Sequence, residues 1–163
     1  MSKSNMISEG RYMNAPLKKI LVIDDDQSAV AFVRAALESE KYEVAGADDG
    51  LAGLSLVRKE PPDLIILDIY MPRQPGFYTL RDLKRDPKTK TIPVIMLTSV
   101  GKRLGITFST QDIYDFLGIE PDVYLEKPVD PMFLRKITDR LLGMGSAENG
   151  RVNQKGLQDG ESK

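Results

Sequence analysis

Five short apolar runs, each separated from the next by residues with helical or turn character, restrict this chain to very few folds. The runs are Ile20-Leu21-Val22-Ile23, Tyr42-Glu43-Val44-Ala45, Leu64-Ile65-Ile66-Leu67, Pro93-Val94-Ile95-Met96-Leu97 and Asp122-Val123-Tyr124-Leu125-Glu126. Short runs with little alternation suit strands covered on both faces, as in a parallel sheet. Between them, Val30, Val33 and Leu37 share one face of 27–40, Leu54 and Val57 one face of 50–60, and Phe77, Leu80 and Leu83 one face of 76–86. Phe133, Leu134, Ile137 and Leu141 do the same over 131–142, with Asp130 as N-cap and Pro131 at the first helical position. Five-fold βα alternation with right-handed crossovers predicts a single-domain (βα)5 three-layer α/β sandwich on a parallel five-stranded sheet. Residues 17–143 contain the whole pattern. Residues 1–16 read as a flexible N-terminal arm, and 144–163 as a disordered polar tail with almost nothing to bury.

Composition removes several chemistries. The chain has no cysteine and no histidine, so disulfides, thiolate or imidazole metal sites and the commonest general base are excluded. Any metal must be a hard cation held by oxygen. Lys plus Arg is 23 and Asp plus Glu is 24, a net charge of −1 that gives no electrostatic footprint for nucleic acid or an anionic membrane. No apolar run approaches bilayer length, and the N-terminus lacks the apolar stretch of a signal peptide. The expectation is a cytoplasmic protein with no membrane contact and no direct DNA binding.

In a sheet of this kind, sites form beyond the carboxyl ends of the strands, where strand order reverses. The residues ending the runs are Asp24, Asp25 and Asp26, then Asp68, then Thr98 and Ser99, then Lys127. Each has a plain alternative role: an Asp after a strand often caps the next helix, Thr98 alone reads as a strand end, and Lys127 alone as a solvated charge. Asp68 is harder to explain that way, because Ile69-Tyr70-Met71-Pro72 follows with no helix start to cap. Clustered carboxylates stay ionised only beside a cation, and oxygen ligands suit Mg²⁺ or Mn²⁺. A carboxylate in such a place can attack phosphorus to form an acyl phosphate, with a lysine and a hydroxyl stabilising the phosphoryl oxygens.

The stretches KKILVIDDDQSAVAFVRAAL, PPDLIILDIYMPRQPGFYTLRDLK, DPKTKTIPVIMLTS and VYLEKPVDPMFLRKI resemble the receiver domain of two-component response regulators, the CheY-like fold, over roughly residues 18–142. The resemblance implies strand order 2-1-3-4-5. It implies Asp68 as phosphoacceptor and Asp24 and Asp25 as the Mg²⁺-binding pair, with Asp68 and the Tyr70 backbone carbonyl in the same shell. It implies Thr98 as the switch hydroxyl, Lys127 as the phosphoryl-contacting lysine before a frequently cis Pro128, and Tyr124 as the aromatic switch residue. A buried strand tyrosine is the alternative for Tyr124. The phosphoryl donor would be a sensor histidine kinase or a histidine phosphotransfer protein, since this chain has no histidine. The domain would catalyse only its own phosphorylation and dephosphorylation. A phosphoryl group on Asp68 would favour conformers that bring Thr98 close and turn Tyr124 inward, altering the protein-interaction face.

Two departures stand out. Thr98 and Lys127 are several residues farther apart than is usual, and Glu120-Pro121 replaces a frequent Gly-Ala, so the segment 99–121 and its partner surface are expected to be rebuilt. Phe108, Ile113, Tyr114 and Phe116 in that segment read as local core, with an exposed docking patch as the alternative. Tyr70 and Val100, two positions beyond Asp68 and Thr98, cannot orient an attacking water, so slow hydrolysis of the acyl phosphate is expected. Two other functions compete with this one. Asp24-Asp25-Asp26-Gln27-Ser28 imitates the Asp-x-Asp-x-Ser of haloacid-dehalogenase phosphatases, but no later strand ends in paired acids and the LDIYMP stretch would be unexplained. A phosphorylation-independent pseudo-receiver is disfavoured because every expected reactive position is filled. With no output domain read after the last helix, the partner is expected to be another protein, a kinase complex or a domain lost by truncation of a longer chain, and the 131–142 face is left open as a homodimer contact.

Overall fold

A computed structural model describes residues 15–39, 41–99, 111, 114, 115 and 118–144. Residues 1–14 of the expected arm, most of the segment 99–121 (with Val100, Phe108, Ile113 and Phe116) and residues from 145 onward lie outside the described residues. The element order is β1 (Lys18–Ile23), α1 (Gln27–Leu37), β2 (Tyr42–Ala47), α2 (Gly50–Lys59), β3 (Leu64–Leu67), α3 (Gly76–Arg85), β4 (Val94–Thr98), β5 (Val123–Glu126) and α4 (Pro131–Leu141). All strand pairs are parallel, in the order β2-β1-β3-β4-β5.

Two apolar layers sandwich the sheet because successive strand residues point to opposite faces. Ile20, Val22, Ile66, Ile95 and Leu125 pack with Val33 and Leu37 of α1 and Leu134 and Ile137 of α4. Leu21, Ile23, Ile65, Leu67 and Met96 pack with Leu54 and Val57 of α2 and Leu80 and Leu83 of α3. The sheet-covered parts of the central strands, Ile20–Ile23, Leu64–Leu67 and Val94–Leu97, are thus apolar throughout. The edge strand β2 alternates, with Tyr42, Val44 and Ala47 buried and Glu43, Ala45 and Gly46 exposed.

Element ends follow local chemistry. Asp26 caps α1, its carboxylate accepting from the Ser28 N–H at 2.9 Å, and Asp130 caps α4 by accepting from Phe133 N–H at 2.8 Å; such caps are worth about 1 kcal/mol each. The helix expected over 27–40 stops at Leu37, because Glu38 is extended and the Ser39 hydroxyl accepts from Lys41 N–H to turn the chain into β2. β1 begins earlier than its apolar run, since Lys18 and Lys19 pair with Tyr42 and Glu43. Tyr114, the described member of the aromatic cluster in the rebuilt segment, is 42% exposed.

Candidate functional site

β1 and β3 are adjacent, yet the crossover from β1 runs to β2 on its other side, so strand order reverses between them. Ile23 is in register with Leu67, and the next residues, Asp24 and Asp68, therefore leave the sheet side by side. The Asp68 N–H donates to the Ile23 carbonyl at 2.9 Å, tying the two strand ends together. Both carboxylates are buried, at 4% and 5% exposure. Asp24, Asp25 and Asp68 each offer an oxygen within 4.8 Å of the others.

Lys127, delivered by the end of β5, reaches into this cluster. Its Nζ lies 2.7 Å from Asp24 Oδ2 and 3.5 Å from Asp68 Oδ1. Backbone donors hold the remaining oxygens: Asp26 N–H donates to Asp24 Oδ1 at 2.9 Å, and Tyr70 N–H to Asp68 Oδ2 at 3.1 Å. Asp25 Oδ1 is buried with no hydrogen-bond partner among the described residues. An orphaned buried carboxylate oxygen is costly unless a cation or water meets it. Three carboxylates against one lysine leave net negative charge, and an all-oxygen donor set matches a hard divalent cation. The residues therefore fit Mg²⁺.

Electrostatics agree. Burial pushes Asp68 up from 3.8 to about 6; Lys127 pulls it down, and Asp24 and Asp25 push it up. For Lys127, burial works against its charge, but the hydrogen bond from Lys127 to Asp24 and the charges of Asp68 and Asp24 outweigh it and leave the ammonium above its ordinary value. The Lys127–Pro128 peptide is cis. Beside the acids a cavity of about 270 Å³ opens between α1 and residues 128–129, walled by Ala29, Phe32, Val33, Leu97 and Val129.

Thr98 ends β4, in register with Glu126 of β5, so its backbone sits on the same rim; its side chain lies outside the described residues. Tyr124 packs against the apolar layer of α2 and α3, and its hydroxyl is buried without a partner among the described residues. Burial, helped by Glu120, raises that phenol to about 12. Sequence reasoning missed Gly76. A Cβ there would lie 1.8 Å from the Asp68 carbonyl oxygen, so the loop after β3 can fold back only over a glycine. It also missed Asp49, which caps α2 and pairs with Arg73.

A doubly wound parallel sheet with a lysine-bridged acidic cluster at its switch point defines a CheY-like α/β module. The chain belongs to the response regulator receiver domain family, whose model matches residues 20–139. It is 37% identical over 120 residues to the response regulator PleD of Caulobacter vibrioides, covering 71% of this chain and 24% of PleD. It is 33% identical over 126 residues to the protein PilH of Pseudomonas aeruginosa, covering 77% of this chain and 98% of PilH. The solved structure of the chemotaxis response regulator CheY4 of Vibrio cholerae superposes with a TM-score of 0.65 at 29% identity, covering 77% of this chain and 99% of CheY4. The chain spans less than half the length of PleD and of several other curated relatives. It is a receiver of two-component signalling; neither the phosphatase alternative nor the pseudo-receiver gains support. No helix among the described residues is long and apolar enough to cross a membrane.

Proposed function

We propose that Asp68 is the phosphoacceptor and that Asp24, Asp25, Asp68 and the Tyr70 carbonyl hold Mg²⁺, for which Mn²⁺ can substitute. The observation that carries this reading is the three-carboxylate cluster, with Asp24 and Asp68 buried, one lysine between them and one carboxylate oxygen of Asp25 left without a partner among the described residues. A divalent ion bound there supplies positive charge that keeps the carboxylates ionised and offsets charge on the phosphoryl oxygens.

The Asp68 carboxylate attacks the phosphorus of a partner's phosphohistidine. The new oxygen–phosphorus bond forms as the phosphorus–nitrogen bond breaks, its electron pair returning to an imidazole that leaves neutral because its second nitrogen carries a proton. Lys127 shifts from Asp24 and Asp68 toward the arriving phosphoryl group, and the Tyr70 N–H keeps Asp68 oriented by holding its Oδ2. Thr98 then hydrogen-bonds the phosphoryl oxygens, and Tyr124, whose hydroxyl has no described partner where it stands, turns to report the change. The domain so modified catalyses only its own phosphorylation and dephosphorylation.

The donor is a sensor histidine kinase or a histidine phosphotransfer protein in the cytoplasm. The target is another protein rather than DNA, and the 131–142 face is a candidate homodimer contact. The test is labelling of the full chain with acetyl phosphate, with and without Mg²⁺, followed by mass mapping. One Mg²⁺-dependent phosphoryl group on Asp68, absent from Asp68→Ala, supports the reading. Catalytic turnover of p-nitrophenyl phosphate, or labelling that survives Asp68→Ala, refutes it.

A further inference from the structure

The loop running from Asp68 to Gly76 carries the Tyr70 backbone, and it is held from outside the acidic pocket. Arg73, within it, is the one non-glycine residue with positive φ (66°) among the described residues. That left-handed conformation is unfavourable for a residue with a Cβ, so a tertiary contact must hold it. The contact is an ion pair between Arg73 Nη2 and Asp49 Oδ2, in which Asp49 is 8% exposed and Arg73 is 69% exposed. The other Asp49 oxygen accepts from Ala52 N–H at 2.8 Å, capping α2. The start of α2 also abuts the loop and α3 directly: a Cβ on Gly50 would lie 2.1 Å from Thr79 Oγ1 and 3.2 Å from the Gln74 carbonyl oxygen. Gln74 Nε2 in turn donates to Thr79 Oγ1 and Asp82 Oδ2, each at 3.3 Å.

We propose that the Arg73–Asp49 ion pair is a latch that docks the acceptor loop on the start of α2 and so pre-orders the Tyr70 backbone for metal binding. Both are positioning residues, and the inference rests on the phosphoacceptor reading of Asp68. A loop ordered in advance spares the metal the ordering entropy that binding would otherwise have to meet.

The experiment is calorimetric titration of MgCl₂ into the full chain for wild type, Arg73→Gly, Asp49→Asn and the double variant, with thermal melts in chelator. Arg73→Gly breaks the pair while relieving the left-handed strain. Asp49→Asn removes the charge but keeps an oxygen that can cap α2. The latch requires Mg²⁺ affinity to fall about tenfold in each single variant, the size typical of lost outer-shell support. The double variant falls no further than either single, and the metal-free melt of Arg73→Gly stays level or rises. Plain charge effects have another pattern: Arg73→Gly tightens Mg²⁺ by leaving Asp49 unpaired, Asp49→Asn weakens it, and the double variant returns toward wild type. That pattern, or unchanged affinity in both singles, overturns the latch. Acetyl phosphate labelling of wild type separates the two readings. If wild type labels on Asp68 while the variants bind Mg²⁺ normally, the latch alone fails; if wild type binds no Mg²⁺, the phosphoacceptor reading fails with it.

Discussion

The Lys127 ammonium stands between two buried carboxylates, 2.7 Å from Asp24 and 3.5 Å from Asp68, and no other cation contacts them among the described residues. It therefore stabilises the metal-free fold and, on the proposed reading, sets the charge that an incoming phosphoryl group meets. Lys127→Ala leaves the cluster without its counter-charge, a loss of about 2–4 kcal/mol in a partly buried setting. Urea denaturation in chelator should show that loss. Acetyl phosphate labelling of the variant should slow at least about tenfold even at saturating Mg²⁺. Labelling at the wild-type rate would remove Lys127 from the reaction.

Asp68 carries a pH signature. Its folded value of about 6 lies above the ordinary 3.8, because burial penalises the charged form. Above pH 6 the ionised side chain therefore weighs against the metal-free fold. That penalty is relieved as pH falls through 6, and is gone once the unfolded chain also protonates near 3.8. The difference corresponds to roughly 3 kcal/mol at most. Asp68→Asn should thus stabilise the chelated protein by about 2–3 kcal/mol near pH 8, with the gain fading as the pH drops through about 6 toward 3.8. Urea midpoints across pH check this, and a gain that does not depend on pH would contradict it.

Asp25 separates metal binding from folding. Its buried Oδ1 has no described partner, so Asp25→Ala should leave metal-free stability level or raise it. Mg²⁺ at a hundredfold excess over its dissociation constant stabilises a one-site protein by about 2.7 kcal/mol. Wild type should show a shift of that kind in its melting temperature, and Asp25→Ala should lose most of it. An equal shift in both would move the ion away from Asp25.

Much of this site could be read from the sequence because strand ends are marked by abrupt changes of polarity. The Leu64–Leu67 run stops at Asp68 and the Ile20–Ile23 run stops at Asp24, so acids at the carboxyl ends of two strands are legible in the sequence alone, while their burial is not. The order of the strands was not visible in the runs themselves, and came only with the family resemblance. Asp49 was passed over because an Asp-Asp-Gly before a helix reads only as a cap, and its second oxygen bonds a residue twenty-four positions away. Arg73 carries no mark of its left-handed backbone, since that conformation usually announces itself as Gly or Asn. β1 outran its apolar run because backbone pairing with β2, not side-chain burial, sets where it starts.

Gly76 shows how close the packing behind the acceptor is. Its missing Cβ leaves room for the Asp68 carbonyl oxygen, and its own N–H donates to the Ile69 carbonyl at 2.8 Å. Gly76→Ala must push the acceptor strand end and the start of α3 apart, at about 3 kcal/mol. Chemical denaturation should register that loss, together with a fall in Mg²⁺ affinity, because the displaced atoms belong to Asp68 itself. An alanine accepted without loss would mean that the loop relaxes freely.

On the proposed reading of Asp68, Tyr70 and Val100, two positions beyond Asp68 and Thr98 in the sequence, are expected to slow hydrolysis of the phosphorylated form. Tyr70 is half-buried and its backbone N–H donates to the Asp68 carboxylate, so the residue borders the acyl phosphate that an attacking water must approach. A phenol ring can shield that approach but offers no group positioned to orient the water; Val100 is apolar outright. Hydrolysis by a positioned water then lacks its orienting group. Tyr70→Asn and Val100→Glu, alone and together, should speed decay of the labelled protein in Mg²⁺, the double variant by about tenfold or more. The measurement is loss of label from Asp68 after removal of excess acetyl phosphate. A double variant that decays at the wild-type rate would place control of the lifetime elsewhere in the domain.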